Sequence, residues 1–188
     1  MRHSTWLCDV RARFGLSQQE LAIWLGLSRA TLAKVETDRR ALPSRAGQWL
    51  RPWVTALLLP PATAVPQLPA PADPTNGPAA LLARLAECRY QAQRLHQQLL
   101  NQQAYLNVLR DRLAAGPLLQ AALPPPAPAE PVHAPAALRR RWLARLLEAA
   151  TDELSVAPEV LTLLAARCHA WQSEAAWLVD ALALAPSA

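Results

Sequence analysis

The chain of 188 residues is poor in most side chains that carry covalent or metal chemistry. With only five glycines there is little from which to build a loop that cradles phosphates, and no phosphate-loop spacing is present. The three cysteines, Cys8, Cys88 and Cys168, are odd in number, far apart and without metal-ligand spacing. They read as buried thiols of a reducing cytoplasm. The four histidines, His3, His96, His133 and His169, form no HxxH or HExxH pattern. The neighbours Cys168-His169 read as a surface pair, not as a nucleophile with its base. Acidic residues are scattered, so no acid/base pair stands out. Apolar runs such as 53–59 are too short to cross a membrane. The charged N-terminus also lacks the apolar core of a signal peptide. The expectation is a cytoplasmic, nucleoid-associated protein that is not an enzyme, with no cofactor, no metal and no membrane contact. Lysine is nearly absent too, Lys34 being the only one. That fits the heavy alanine, proline, leucine and arginine usage of a GC-rich genome and says nothing of function.

What the chain does have is punctuation by proline. Of its eighteen prolines, seven fall in 60–78 and seven in 117–135. Both stretches are alanine-rich and low in charge, and they read as extended, semi-rigid linkers. The resulting division is 1–59, a linker 60–78, a long helix 79–116, a linker 117–137 and a helical segment 138–185. The fold class expected is all-α: an N-terminal four-helix domain, the linkers, one long heptad helix and a C-terminal helical hairpin.

Residues 16–36 carry the sharpest local signal. Ser17 is a good N-cap, and Glu20 three residues on completes a capping box. Leu21, Ala22 and Leu25 share one helical face. Gly26 ends that helix where a left-handed residue is needed, and a large side chain at Ala22 would push crossing helices apart. Ser28 caps a second helix that buries Leu32 and Val35. Arg29, Ala30, Thr31, Ala33 and Lys34 are left outside. A fourth helix can be drawn from Ser44 through Leu59.

With its first helix, Trp6-Leu-Cys-Asp-Val-Arg-Ala-Arg-Phe14, followed by Gly15-Leu-Ser-Gln18, this segment resembles the Cro-type, or XRE-type, helix-turn-helix family over about residues 5–50. The resemblance implies that Arg29, Ala30, Thr31 and Lys34 face base edges, and that Gln18 contacts a phosphate, as does the capping Ser28. It also implies that Arg11 and Glu36 form a structural salt bridge. The sequence departs from the family at Thr37-Asp38, where Asn-Gly is common. It also lacks room for a fifth helix before the prolines, so the domain is either truncated or borrows a packing partner from elsewhere.

Charge follows the motif. Residues 1–60 hold nine basic and four acidic residues, an excess of five, whereas 61–188 hold ten of each. The whole net charge of +5 therefore lies with the helix-turn-helix, as phosphate neutralisation requires. Arg39 and Arg40, just past the second helix of the motif, are placed for the DNA backbone or for a solvated loop.

In the middle block, Leu81, Leu85, Cys88, Ala92, Leu95, Leu99, Gln102, Leu106, Leu109 and Leu113 are spaced alternately four and three apart, a heptad seam. It spans about 50 Å at helical rise. Two readings stand: self-association of two copies, with Gln102 fixing register, or pairing with the third block of the same chain. The first is preferred because such motifs gain affinity by dimerising on paired half-sites. In the third block, Leu138, Trp142, Leu143, Leu146, Leu147 and Ala150 form one amphipathic face, behind the run Arg139–Arg141. That run reads as a solvated helix start, with nucleic-acid contact as the alternative. A break is expected near Ser155, with Pro158 in the next first turn. A last helix then buries Val160, Leu163, Leu164, Cys168, Trp171, Ala175, Leu178 and Leu182.

Two functions are compatible with these readings. The first is a sequence-specific regulator that binds double-stranded DNA as a homodimer joined through 79–116. The second is a protein-interaction module, antitoxin-like or a mobile-element accessory protein, with autoregulatory DNA binding and a protein partner for 138–185.

Overall fold

The computed structural model describes residues 3–61, 77–127 and 131–184, and among them every regular element is a helix. Six helices follow in order: α1 (His3–Phe14), α2 (Gln18–Leu25), α3 (Arg29–Glu36), α4 (Ser44–Ala56), α5 (Ala79–Ala121) and α6 (Pro135–Leu184). Most of the linker 60–78 lies outside the described residues. The chain divides into two compact units: Met1–Thr63 with Leu106–Ser155, and Ala64–Tyr105 with Val156–Ala188. The middle and third blocks are thus not units of their own. Each long helix gives one of its ends to each unit.

In the first unit α1 to α4 enclose Leu7, Val10, Phe14, Leu21, Trp24, Leu32, Val35, Leu50 and Trp53. The same core continues into Ala115 and Leu119 of α5 and Leu143 and Leu146 of α6, with Trp142 packed against it. These side chains supply a wall that α1 to α4 do not make themselves, so the N-terminal helices borrow their cover from residues more than fifty positions away. Three tryptophans from three helices close the junction. Trp24 meets Trp53 edge-on at 6.0 Å between centroids and Trp142 at 5.5 Å, while Trp53 and Trp142 are 6.4 Å apart. Such pairs add to the area they bury. The Trp24 indole donates to the Trp49 carbonyl at 2.7 Å. The buried Trp53 Nε1 has no hydrogen-bond partner among the described residues. That omission costs about 1–3 kcal/mol, less than the roughly 3–5 kcal/mol lost on truncating a packed tryptophan, so the ring stays inside.

Polar latches fasten the borrowed helices. Arg112 donates to the Phe14 carbonyl at 2.7 Å and to that of Gly15 at 2.9 Å, filling acceptors that α1 leaves open at its end. Arg13 pairs with the nearly buried Asp111 at 3.3 Å and donates to the Leu57 carbonyl at 2.6 Å. Gly15 has φ +59°, and a Cβ there would lie 2.6 Å from Val108. Glycine is required both by the turn and by the approach of α5.

Three expectations about the long helices change. The second linker does not begin at 117: α5 continues through Pro117 to Ala121. An interior proline costs about 3 kcal/mol. Here burial of Ala115 and Leu119 on either side, with Gly116 against Leu147, opposes that cost. Nor does the C-terminal segment form a hairpin, because α6 runs unbroken across Ser155 and Pro158. The Ser155 hydroxyl donates back to the Asp152 carbonyl at 2.6 Å instead of capping a new helix, and Pro158 lies on the exposed side. Finally, Val160 and Leu163, expected inside, are 42% and 61% exposed.

In the second unit α5 and α6 pair along the heptad seam. Leu85 and Cys88 are buried against Leu178 and Leu182, with Leu81, Trp171 and Ala175 at the margin. The Cys168 thiol reaches the Ala92 carbonyl at 3.5 Å. Arg84 lies over Trp171 and forms two hydrogen bonds with Glu174, at 2.6 and 2.9 Å. Of the other seam positions, Leu106 and Leu109 are buried in the first unit, while Leu95, Leu99, Gln102 and Leu113 are half-buried. The seam proposed to join two copies is therefore already covered, at Leu85 and Cys88, by the chain's own α6. The alternating spacing fixes that a partner helix is needed, but not whose it is.

Truncating Trp142 to alanine should lower the stability of the N-terminal helices by about 3 kcal/mol, measured by urea denaturation. The isolated fragment 1–61 should lack a cooperative thermal transition, because one wall of its core is gone.

Candidate nucleic-acid interface

The turn between α2 and α3 is built from local hydrogen bonds. Ser17 accepts from the Glu20 amide at 3.2 Å and Glu20 accepts from the Ser17 amide at 2.7 Å, which fixes the start of α2. At its end Gly26 adopts φ +66°, and the amides of Gly26 and Leu27 return to the carbonyls of Ile23 and Ala22, a Schellman closure. Ser28 then caps α3 by accepting from the Thr31 amide at 3.1 Å. The end of α3 repeats the device without glycine. Asp38 takes φ +56°, and the amides of Asp38 and Arg39 bond to Val35 and Lys34. A left-handed non-glycine residue is costly, and aspartate is among those that tolerate it best.

Helical periodicity then sorts α3 into two faces. Leu32 and Val35 are buried, and Arg29, Ala30 and Lys34 are exposed. Arg39 and Arg40 are exposed just beyond. None of the four cations Arg29, Lys34, Arg39 and Arg40 is in an ion pair among the described residues. Arg45 and Arg51, on the exposed side of α4, are likewise unpaired. Both belong to the basic excess of residues 1–60, and no local motif marks them for a role.

Other candidate residues are occupied with holding the motif. The Glu36 carboxylate accepts from Arg11 Nη1 at 3.0 and 3.1 Å and from Gln18 Nε2 at 2.7 Å. Arg11 also donates to the Leu16 carbonyl at 3.1 Å. This network joins α1, the start of α2 and the end of α3. The Gln18 amide nitrogen thus spends one of its two hydrogens on Glu36. Ser28 and Thr31 share a hydroxyl contact at 2.8 Å, and Thr31 is half-buried. Groups that can reach a ligand without breaking a bond within the fold are Arg29, Lys34, Arg39 and Arg40, with the small Ala30 between them.

Arg139 behaves unlike either reading of its run. It is buried, donates to the Trp24 carbonyl at 2.6 Å and stacks over the Trp49 ring with its guanidinium carbon 4.0 Å from the centroid. Burial pulls its guanidinium below the ordinary arginine range. Its role is to tie α6 to the end of α2, and no local pattern announces it. The only hint lay in the missing fifth helix. Arg140 and Arg141 donate to the carbonyls of Pro124 and Val132.

Burial pushes the Cys88 and Cys168 thiols up, whereas Cys8 is exposed, contrary to the expectation of three buried thiols, and is raised by partial desolvation and by Glu36. All three are therefore protonated and weakly nucleophilic at neutral pH. No cluster of metal-ligating side chains occurs among the described residues. Among the described residues, no helix is long and apolar enough to cross a membrane. No protein-family model, curated protein or solved structure matches this chain.

Replacing Glu36 with alanine leaves Arg11 and Gln18 without their acceptor. The expected loss is about 2 kcal/mol, in the range of hydrogen bonds to charged groups, read from the shift of the urea midpoint. A Gln18→Ala change should cost clearly less.

Proposed function

We propose that the protein is a sequence-specific DNA-binding regulator that presents α3 to the major groove. The observation that carries this reading is the exposed, unpaired cationic face formed by Arg29, Lys34, Arg39 and Arg40 around the start and end of a helix whose opposite face is buried. A rigid helix bearing a few outward side chains is what groove readout needs. The local excess of positive charge supplies the sequence-independent attraction to phosphates. Arg29, in the first turn, has the fork geometry for guanine O6 and N7. Ala30 offers an apolar contact, and Lys34 lies one turn on. Arg39 and Arg40 meet the backbone, and Arg45 and Arg51 extend the same charge along α4. Family membership in the XRE group and operation from the nucleoid are part of this proposal. Gln18 and the capping Ser28 act here through the scaffold that aims α3, as does the Arg11–Glu36 pair.

Selection of bound sequences from a random duplex pool should return a defined site for the full-length protein. Arg29→Ala should flatten that preference by about 1–3 kcal/mol at the contacted base. Arg39→Ala or Arg40→Ala should weaken binding to all sequences and reduce the salt slope by about one. Absence of any protein–DNA complex at low salt in a gel shift would refute the reading.

A further inference from the structure

The face of α6 that α5 leaves uncovered is organised. Val156, Leu163, Ala170, Trp177 and Leu184 recur every seven residues and are all exposed, the four large ones at 56%, 61%, 66% and 85%. Val160, at 42%, flanks the row. A strict seven-residue repeat keeps one stripe facing one partner helix. The second unit otherwise consists of one helix pair whose buried cluster is Leu85, Cys88, Leu178 and Leu182, a thin core for so much exposed apolar surface.

We infer that a second copy of this chain covers the stripe, with two α6 helices antiparallel and a two-fold axis at Ala170, which makes the two helix pairs into a four-helix bundle. This rests on the DNA-binding reading only for its purpose, which is to join two recognition helices. The sequence along the stripe is self-complementary about that axis. Leu163 meets Trp177 of the second copy, Val156 meets Leu184, and the two Ala170 methyls leave room for the backbones to approach. The small exposed Ala166 and Ser173 flank that centre. Charge agrees with the register. Arg167 is exposed, and one axial step from its level on the opposing helix lies Glu174. The Glu174 carboxylate, held below the usual range by the hydrogen bonds from Arg84, is ionised. An isologous contact repeats this match twice. Parallel pairing places tryptophan on tryptophan and Arg167 on Arg167, and it lacks both complementarities. The α5 seam is already engaged by α6 of the same chain at Leu85, Cys88 and Ala92.

The test is the mass of the full-length protein without DNA, by light scattering and sedimentation equilibrium. The expected mass is twice the 20.5 kDa of one chain. Leu163→Glu and Trp177→Glu should each weaken the dimer by about thirty-fold or more, as for a central anchor residue, with the helical circular dichroism unchanged. In a Cys8→Ser background, Ala170→Cys should cross-link copies under mild oxidation, whereas Gln93→Cys on the exposed side of α5 should not. A monomer at micromolar concentration overturns the proposal. So does a dimer indifferent to both charge substitutions, or one in which Ala170→Cys stays uncross-linked. A dimer that binds no DNA leaves this interface standing and refutes the functional reading, and a DNA-binding monomer does the reverse.

Discussion

The structure of the first unit depends on one junction, where Trp142 and Arg139 of α6 close over Trp24, Trp49 and Trp53. Four short helices have too little volume to enclose three tryptophan rings, and each ring buried only on one side would leave a large apolar area in water. The borrowed helices supply the missing wall. Arg139 adds a charge-assisted hydrogen bond to the last turn of α2 and a cation stacked on an indole. Its desolvation is tolerable because both interactions are at short range and shielded from water. The Arg13–Asp111 pair and the Arg112 hydrogen bonds repeat the arrangement at the end of α1. The shape of the helix-turn-helix segment is thus held from outside it.

That dependence links architecture to mechanism. The outward face of α3 stays free because the long helices engage α1, the end of α2 and α4, not α3. For the proposed groove reading a rigid mount matters, since base readout tolerates little play in the position of a guanidinium fork. The Glu36 network contributes the rest of that rigidity, using Gln18 and Arg11 as braces. The proposed α6 contact then extends a single design, in which a helix that helps complete the N-terminal core would also carry the surface that joins two copies.

Local chemistry was readable from the residues alone. Caps at Ser17 and Ser28, the left-handed Gly26, the buried Leu32 and Val35 and the outward Arg29 and Lys34 all follow from spacing and from backbone preferences that act within a few residues. The left-handed Asp38 falls in the same class. Less readable was anything decided between distant segments. Proline at 117 reads locally as a stop and Pro158 as the first turn of a new helix, yet α5 and α6 run through them; at Pro117 the burial of Ala115 and Leu119 opposes a penalty of about 3 kcal/mol. Val160 and Leu163 have the composition of core residues, but composition does not fix which side of α6 meets α5.

By itself, then, the sequence determined an all-helical chain, the two faces of α3, the basic N-terminal segment and the need of the α5 seam for a partner helix. These are properties of periodicity, propensity and charge, which are written residue by residue. Only the tertiary structure decided that the partner is α6 of the same chain, that Arg139 is a buried brace and that the missing fifth wall comes from residues 106–155. Apolar burial is non-directional, so a stripe of leucines accepts any matching surface. Chain connectivity and volume, not pattern, select among them.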